Sequence, residues 1–458
     1  MQTINPTSGE ILKTYETISN QEIDRIIEKS HIAFLKWSQE SFADRAKILK
    51  NIQQNLLKNK QDYAKIITLE MGKPIKYAIA EIEKCALVCE FYANNAEKLL
   101  ADRSIKTQEN KTSHAKSYVC YQPSGTIFAV MPWNFPFWQV FRFAAPNLMA
   151  GHACLLKHAE ITTGTALAIE NCLRESGLPE NLFRALLIKH EQSEQVIGNK
   201  YVTGVTLTGS EAAGKSIAAT AGKYLKKCVM ELGGSDPYVI LADADLPKAA
   251  TACLNSRLLN SGQVCIAAKR LIIVESVYEK FKQQILAGVN NFALGDPLNE
   301  NTILGPLARA DLRDTVDKQV TQAINEGATL LMRSETPKST GFYYPITILE
   351  NVAAGNIAFD EEIFGPVVAL IKAKDEADAI KLANQTRFGL GAAVFTQDLK
   401  RGEEIARAEL NAGSVAVNTF VASNPALPFG GIKASGFGRE LALEGLCEFM
   451  NIKTAVIF

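Results

Sequence analysis

The sequence predicts an α/β fold built on two parallel sheets, and three observations carry that prediction. Short apolar runs alternate with helical stretches from Thr126 to Thr208, the pattern of strands joined by crossover helices. The same alternation returns from about Pro237 to Val417. A helical region from Asn20 to about Leu100 precedes both, and the 458 residues leave room for roughly three domains at about 150 residues each.

Taken in order, Asn5 to Glu10 (NPTSGE) reads as a turn. Ile23, Ile26 and Ile27, then Ile48, Ile52, Leu56 and Leu57, recur at helical spacing. Met71-Gly72-Lys73-Pro74 breaks the helical run. The charged stretch 102–114 is expected to be exposed, with a strand from Ala115 to Tyr121 and a turn at Pro123-Ser124-Gly125. Thr126–Met131, Ala153–Lys157, Ala185–Ile188 and Val202–Thr208 read as buried strands, and Thr162–Ser176 and Gln192–Gly198 as helices. Tyr238–Leu241, Leu271–Val274, Val367–Ile371 and Ala392–Phe395 are the strands of the second unit, and Lys453–Phe458 is a last apolar strand.

Composition narrows the function. Equal numbers of basic and acidic residues, 49 each, give no broad attraction to nucleic acid. With 47% apolar and 21% charged residues the chain is a folded globular protein. No apolar run approaches the roughly 18 residues that cross a bilayer. Met1 to Pro6 lacks a basic segment followed by an apolar one, so no signal peptide and a cytoplasmic location are expected. Nine cysteines without a CxxC pair point to reduced thiols, and five histidines without an HxxxH pair leave no legible metal site.

Several segments carry chemistry. Gly209 to Ser216 matches the P-loop pattern GxxxxGK(S/T) after a strand and at a helix start, with Asp243 as the acid of a magnesium-binding strand. A pyrophosphate cradle at a helix N-terminus is the broader reading of the same residues. The dinucleotide fingerprint GxGxxG is absent. Lys157 and Glu160 close a strand, where a lysine and an acid could hold the hydroxyls of a ribose. Pro132-Trp133-Asn134-Phe135-Pro136 fixes an amide donor between two prolines, which suits an oxyanion hole. Glu231 ends an apolar run before Leu232-Gly233-Gly234, and desolvation there raises a carboxyl pKa toward that of a general base. Cys265 follows a glycine turn and precedes Lys269 and Arg270, cations that favour a thiolate, so it is the candidate nucleophile.

Together these segments resemble the NAD(P)-dependent aldehyde dehydrogenase superfamily, most closely its short succinate-semialdehyde dehydrogenases. The match runs in one order through Asn5–Glu10, Pro132–Pro136, Lys157–Glu160, Thr208–Ser210, Glu231–Gly234, Gly262–Cys265, Glu361–Pro366 and Pro428–Gly431. A P-loop explains only one of these, and Lys215 becomes a surface residue of the helix.

The resemblance implies an aldehyde-dehydrogenase-like fold. Residues 1–101 and 124–232 would bind the cofactor, 233–436 would form the catalytic domain, and 102–123 with 437–458 an oligomerisation arm giving a homodimer or homotetramer. Cys265 would attack the aldehyde to form a thiohemiacetal, with Asn134 and the Cys265 N–H stabilising the oxyanion. Hydride would pass to the nicotinamide, and Glu231 would activate water to release the carboxylate from the thioester. Trp133, Lys157, Glu160, Gly209, Ser210, Leu232, Glu362 and Phe364 would bind the cofactor. Glu160 in place of a small residue would favour NAD over NADP. Phe135 to Phe143 and Val421 to Pro425 resemble the succinic semialdehyde enzymes, so Arg142 and Ser423 would bind the substrate carboxylate. Uncharged or short-chain aldehydes, acyl transfer to coenzyme A, a non-catalytic scaffold and a P-loop NTPase are the alternative readings.

Overall fold

In the computed structural model, residues 1–105, 116–338 and 340–457 are described. The NPTSGE turn joins strands Gln2–Ile4 and Ile11–Thr14 into an antiparallel hairpin. Gly9 there takes φ +78°, a left-handed value that glycine adopts without strain, and its N–H donates to the Asn5 carbonyl at 2.7 Å.

The helical region consists of Asn20–Trp37, Phe42–Lys58, Lys60–Met71 and Ile75–Leu99. Ser19 and Ser41 cap the first two by accepting from the N–H groups of Glu22 and Asp44. Ile23, Ile26, Ile27, Ile52 and Leu56 are buried as their spacing predicts, whereas Leu57 faces solvent. The helix before the predicted break ends at Met71, where Gly72 turns left-handed (φ +78°) and donates to the Thr68 carbonyl.

Two sheets follow. The first has six strands in the order Gly436–Phe437, Lys227–Glu231, Val202–Thr208, Thr126–Met131, Ala153–His158 and Phe183–Ala185. All its pairings are parallel except that of Gly436–Phe437. The second has seven, in the order Thr329–Arg333, Thr347–Glu350, Val367–Ala373, Ala268–Val274, Asp236–Ile240, Gly391–Phe395 and Ser414–Val417. Only its first pairing is antiparallel. The fold is therefore α/β, with mostly parallel sheets in two domains. Parallel strands covered on both faces read as continuous apolar runs, which is why their sequence signal was strong.

The expected strand Ala185–Ile188 is displaced: the strand is Phe183–Ala185. Leu186 and Ile188 stay buried in irregular backbone, because an apolar run reports burial and not pairing. A third sheet pairs Met450–Ile457, Lys116–Pro123 and Arg103–Ile105 in antiparallel order. Its outer strand leaves Ile452, Val456 and Ile457 exposed. Most of the stretch 102–114, the strand start at Ala115 and the terminal Phe458 lie outside the described residues. Among those described, no helix is long and apolar enough to cross a membrane.

One buried ion pair ties the helical region to the first sheet. Glu81 on helix Ile75–Leu99 pairs with Lys73, and the two side chains are 1% and 0% exposed. The other Glu81 oxygen accepts from the N–H groups of Phe137 (2.8 Å) and Trp138 (3.0 Å). These open helix Trp138–Ala150, so the carboxylate also meets the positive end of its dipole. Replacing Glu81 by alanine leaves Lys73 buried without a counter-ion. That should cost about 3–5 kcal/mol and lower the thermal midpoint by several degrees, and an unchanged midpoint would contradict this role.

Candidate active site

The loops that end the strands of the two sheets meet in a cleft. Pro132–Pro136 leaves strand Thr126–Met131 and is stitched to the turn before Cys265. Asn134 Nδ2 donates to the Gln263 carbonyl at 3.1 Å, and Asn260 Nδ2 donates to the Asn134 carbonyl at 2.9 Å. The turn is unusual: Asn260, Ser261 and Gly262 take φ of +51°, +55° and +77° in succession. A Cβ on Gly262 would lie 2.2 Å from the Gly365 carbonyl oxygen, so only glycine lets these backbones approach.

Cys265 leaves this turn half-buried on the wall of a cavity of about 250 Å³. Lys84, Trp138, Arg142, Ser423 and Phe429 line the same cavity. The expectation that downstream cations favour the thiolate is corrected here. Burial outweighs them and pushes the Cys265 thiol up to about 11, while Lys269 and Arg142 only partly offset it. The Lys269 ammonium is occupied by the Cys265 carbonyl (2.5 Å) and by Glu362 (2.7 Å). Arg270 donates instead to the carbonyls of Ser235, Leu382 and Ala383.

Glu231 ends strand Lys227–Glu231 and is 2% exposed. Neither of its oxygens has an aligned hydrogen-bond donor, and a Cβ on Gly430 would sit 2.8 Å from one of them. Burial holds its pKa well above the carboxylate range; Arg142 pulls the other way, and Glu440 pushes it further up.

Arg142 requires an amendment. It lines the cavity, but its Nε lies 2.5 Å from a Glu440 oxygen and its Nη2 donates to Thr208 Oγ1 at 3.2 Å. The guanidinium expected to be free for a carboxylate is already paired. Ser423 accepts a hydrogen bond from Lys84 Nζ at 2.8 Å. Lys84 and Glu440 were not found from sequence. Lys84 sits among the charged residues of a long helix, and Glu440 in a glycine-rich tail, with no local signal of the cavity in either.

None of the residues expected to bind the cofactor lines this cavity. Lys157 lies near the end of strand Ala153–His158, and its ammonium has no hydrogen-bond or ion-pair partner among the described residues. Burial lowers its pKa, opposed by Glu160 and Glu191. Ser210 caps helix Glu211–Lys223 by accepting from the Ala213 N–H, and Gly209 N–H donates to the Glu231 carbonyl at 2.9 Å. Leu232 packs on Gly214, where a Cβ would come within 2.5 Å of it. Glu362 accepts from the Gly234 N–H at 3.3 Å, and a Cβ on Gly233 would lie 2.2 Å from its carboxylate. Trp133 meets Phe364 edge-on at 5.9 Å. An unmatched ammonium, a capped helix N-terminus and a glycine cradle beside an acid fit a dinucleotide.

The P-loop reading fails on geometry. The helix begins at Glu211, so Gly214, Lys215 and Ser216 lie within it and not in a phosphate-wrapping loop. Lys215 pairs with Glu211 on the exposed face, and Asp243 lies beyond its strand and accepts from Thr396, Gln397 and Asp398.

The chain resembles known proteins over nearly its whole length. The model of the aldehyde dehydrogenase family matches residues 1–455. A succinate semialdehyde dehydrogenase from Escherichia coli, named for NAD(P)+, is 42% identical over 451 residues, covering 98% of this chain and 96% of its own. A succinate-semialdehyde dehydrogenase from Deinococcus radiodurans, named for NADP(+), is 39% identical over 456 residues, covering 100% and 94%. The crystal structure of the Streptococcus pyogenes succinic semialdehyde dehydrogenase with NADP+ superposes with a TM-score of 0.96 at 36% identity, covering 100% and 99%.

These relatives overturn the preference for NAD read from Glu160. Glu160 is exposed at the start of the short helix Glu160–Thr162, so water screens its charge and it weighs little against a 2′-phosphate.

Two predictions follow from the charges. Alkylation of Cys265 by iodoacetamide in the cofactor-free enzyme should accelerate steadily with pH up to about 10, because the thiolate forms only at high pH; a plateau below about pH 8 would refute the raised pKa. Arg142→Ala should leave Glu440 unpaired, cost about 3–5 kcal/mol of stability and slow charged and uncharged aldehydes alike. Full activity on an uncharged aldehyde would show that the Glu440 pairing is dispensable.

Proposed function

The chain belongs to the aldehyde dehydrogenase family, and from that premise we propose that it oxidises succinic semialdehyde to succinate with NADP through an adduct on Cys265. The observation that carries the substrate is the cavity itself. Its wall holds the candidate nucleophile together with Lys84 and the Ser423 hydroxyl, a setting for a carboxylate at the far end of a short aldehyde. A wall of this charge gives nothing extra to an uncharged aldehyde.

The residues act in sequence. Cys265 as thiolate adds to the aldehyde carbon, and the carbonyl electron pair moves onto oxygen. Asn134 Nδ2 has one N–H on the Gln263 carbonyl, which leaves its second, with the Cys265 backbone N–H, for that oxygen. Because Asn134 is buried and tied to the turn that carries Cys265, its donor needs no reorganisation. Lys157, the Ser210-capped helix and Glu362 would hold NADP, which supplies the hydride acceptor when bound. Once the adduct is a thioester, Glu231 takes a proton from water; the new C–O bond replaces the C–S bond, and Cys265 leaves as thiolate. Burial disfavours the Glu231 anion that this step needs, and Arg142 is the strongest of the cations that favour it.

Steady-state absorbance with succinic semialdehyde should show kcat/KM about tenfold or more higher with NADP than with NAD. Cys265→Ala should abolish turnover with both. Retained turnover in that variant would remove Cys265 as nucleophile, and oxidation of only uncharged aldehydes by the unaltered enzyme would remove succinic semialdehyde as substrate.

A further inference from the structure

This inference rests on the substrate reading above and asks which charge receives the carboxylate. Three cations border the Cys265 cavity: Lys73, Lys84 and Arg142. Lys73 is paired with Glu81, and Arg142 with Glu440. Lys84 has no acidic partner within ion-pair distance among the described residues. Its ammonium donates to Ser423 Oγ at 2.8 Å and lies over the Trp138 ring at 4.2 Å. An ammonium taken partly out of water beside an aromatic face, with no counter-ion, is the position at which an anionic ligand gains most.

The donor inventory fits. An ammonium has three N–H groups, and Ser423 uses one, which leaves others for a carboxylate oxygen. The Ser423 hydroxyl, having accepted from Lys84, keeps its own proton to donate to the second oxygen. We propose that Lys84 is the specificity-determining cation of this cavity, that it takes the substrate carboxylate together with Ser423, and that Arg142 serves Glu440 and Glu231 instead. Arg142 is then a positioning residue for the base side of the cleft.

The charged and titratable groups facing Lys84 agree. Burial, with Arg142 second, lowers its pKa to about 8, while Cys85, Glu81 and Cys265 act in the opposite direction. The ammonium is therefore the charged form at neutral pH and loses its proton in the mildly alkaline range.

The test compares kcat/KM for succinic semialdehyde with that for butanal, the four-carbon aldehyde lacking the carboxylate, at saturating NADP. The full-length enzyme should prefer succinic semialdehyde. Lys84→Met should lower that preference about 30-fold or more, and Lys84→Arg should keep most of it. A preference within about threefold of the unaltered enzyme in Lys84→Met overturns the proposal while leaving the substrate reading intact. Absence of any preference in the unaltered enzyme overturns the substrate reading and, with it, the proposal. A second readout is the pH dependence of that preference: any fall between about pH 7 and about pH 9.5 in the unaltered enzyme should vanish in Lys84→Met, since thiol ionisation is common to both substrates and cancels in the ratio; a fall of the same size in Lys84→Met overturns the proposal.

Discussion

Most of the charge withdrawn from water around the cleft is balanced by a partner within the protein, and the cleft depends on how that is done. Lys73 meets Glu81, Arg142 meets Glu440, and Lys269 meets Glu362. With these cations engaged, too little positive field remains to ionise the other buried groups. The Cys265 thiol and the Glu231 carboxyl are both pushed toward their neutral forms. Burial thus disfavours both anions in the resting site.

Backbone geometry supplies what the charges cannot. Asn260, Ser261 and Gly262 run left-handed in succession and press Gly262 against the Gly365 carbonyl. That contact joins the turn of the nucleophile to the segment carrying Glu362 and Phe364. On its other side the same turn exchanges hydrogen bonds with the loop of Asn134. Cys265, Asn134 and Glu362 are therefore fixed relative to one another, which is what the proposed preorganised catalysis requires. Lys269 adds a direct link, since one ammonium contacts both the Cys265 carbonyl and Glu362.

Much of this was legible in the chain. Parallel strands buried on both faces declare themselves as apolar runs, so most of the strands of the two large sheets were placed to within a few residues. Asn134, Glu231 and Cys265 stood out because glycine or proline lies within three residues of each. What was not legible is pairing across long separations. Lys84 and Ser423 are 339 positions apart, and nothing near either names the other. For the same reason Arg142 read as a free cation, and only the fold brings Glu440 to it. The P-loop match was correct in spacing, but a pattern does not say where the helix begins. Glu160 misled because the sequence does not say how far its carboxylate stands out into water.

The most direct measurement is peptide mass spectrometry of a Glu231→Gln variant quenched after mixing with succinic semialdehyde and NADP. With the nucleophile intact and the water-activating carboxylate removed, one succinyl group should accumulate as a thioester on Cys265 and be released by hydroxylamine. Modification of a different one of the nine cysteines, or none at all while NADPH is still formed, would contradict covalent catalysis at Cys265.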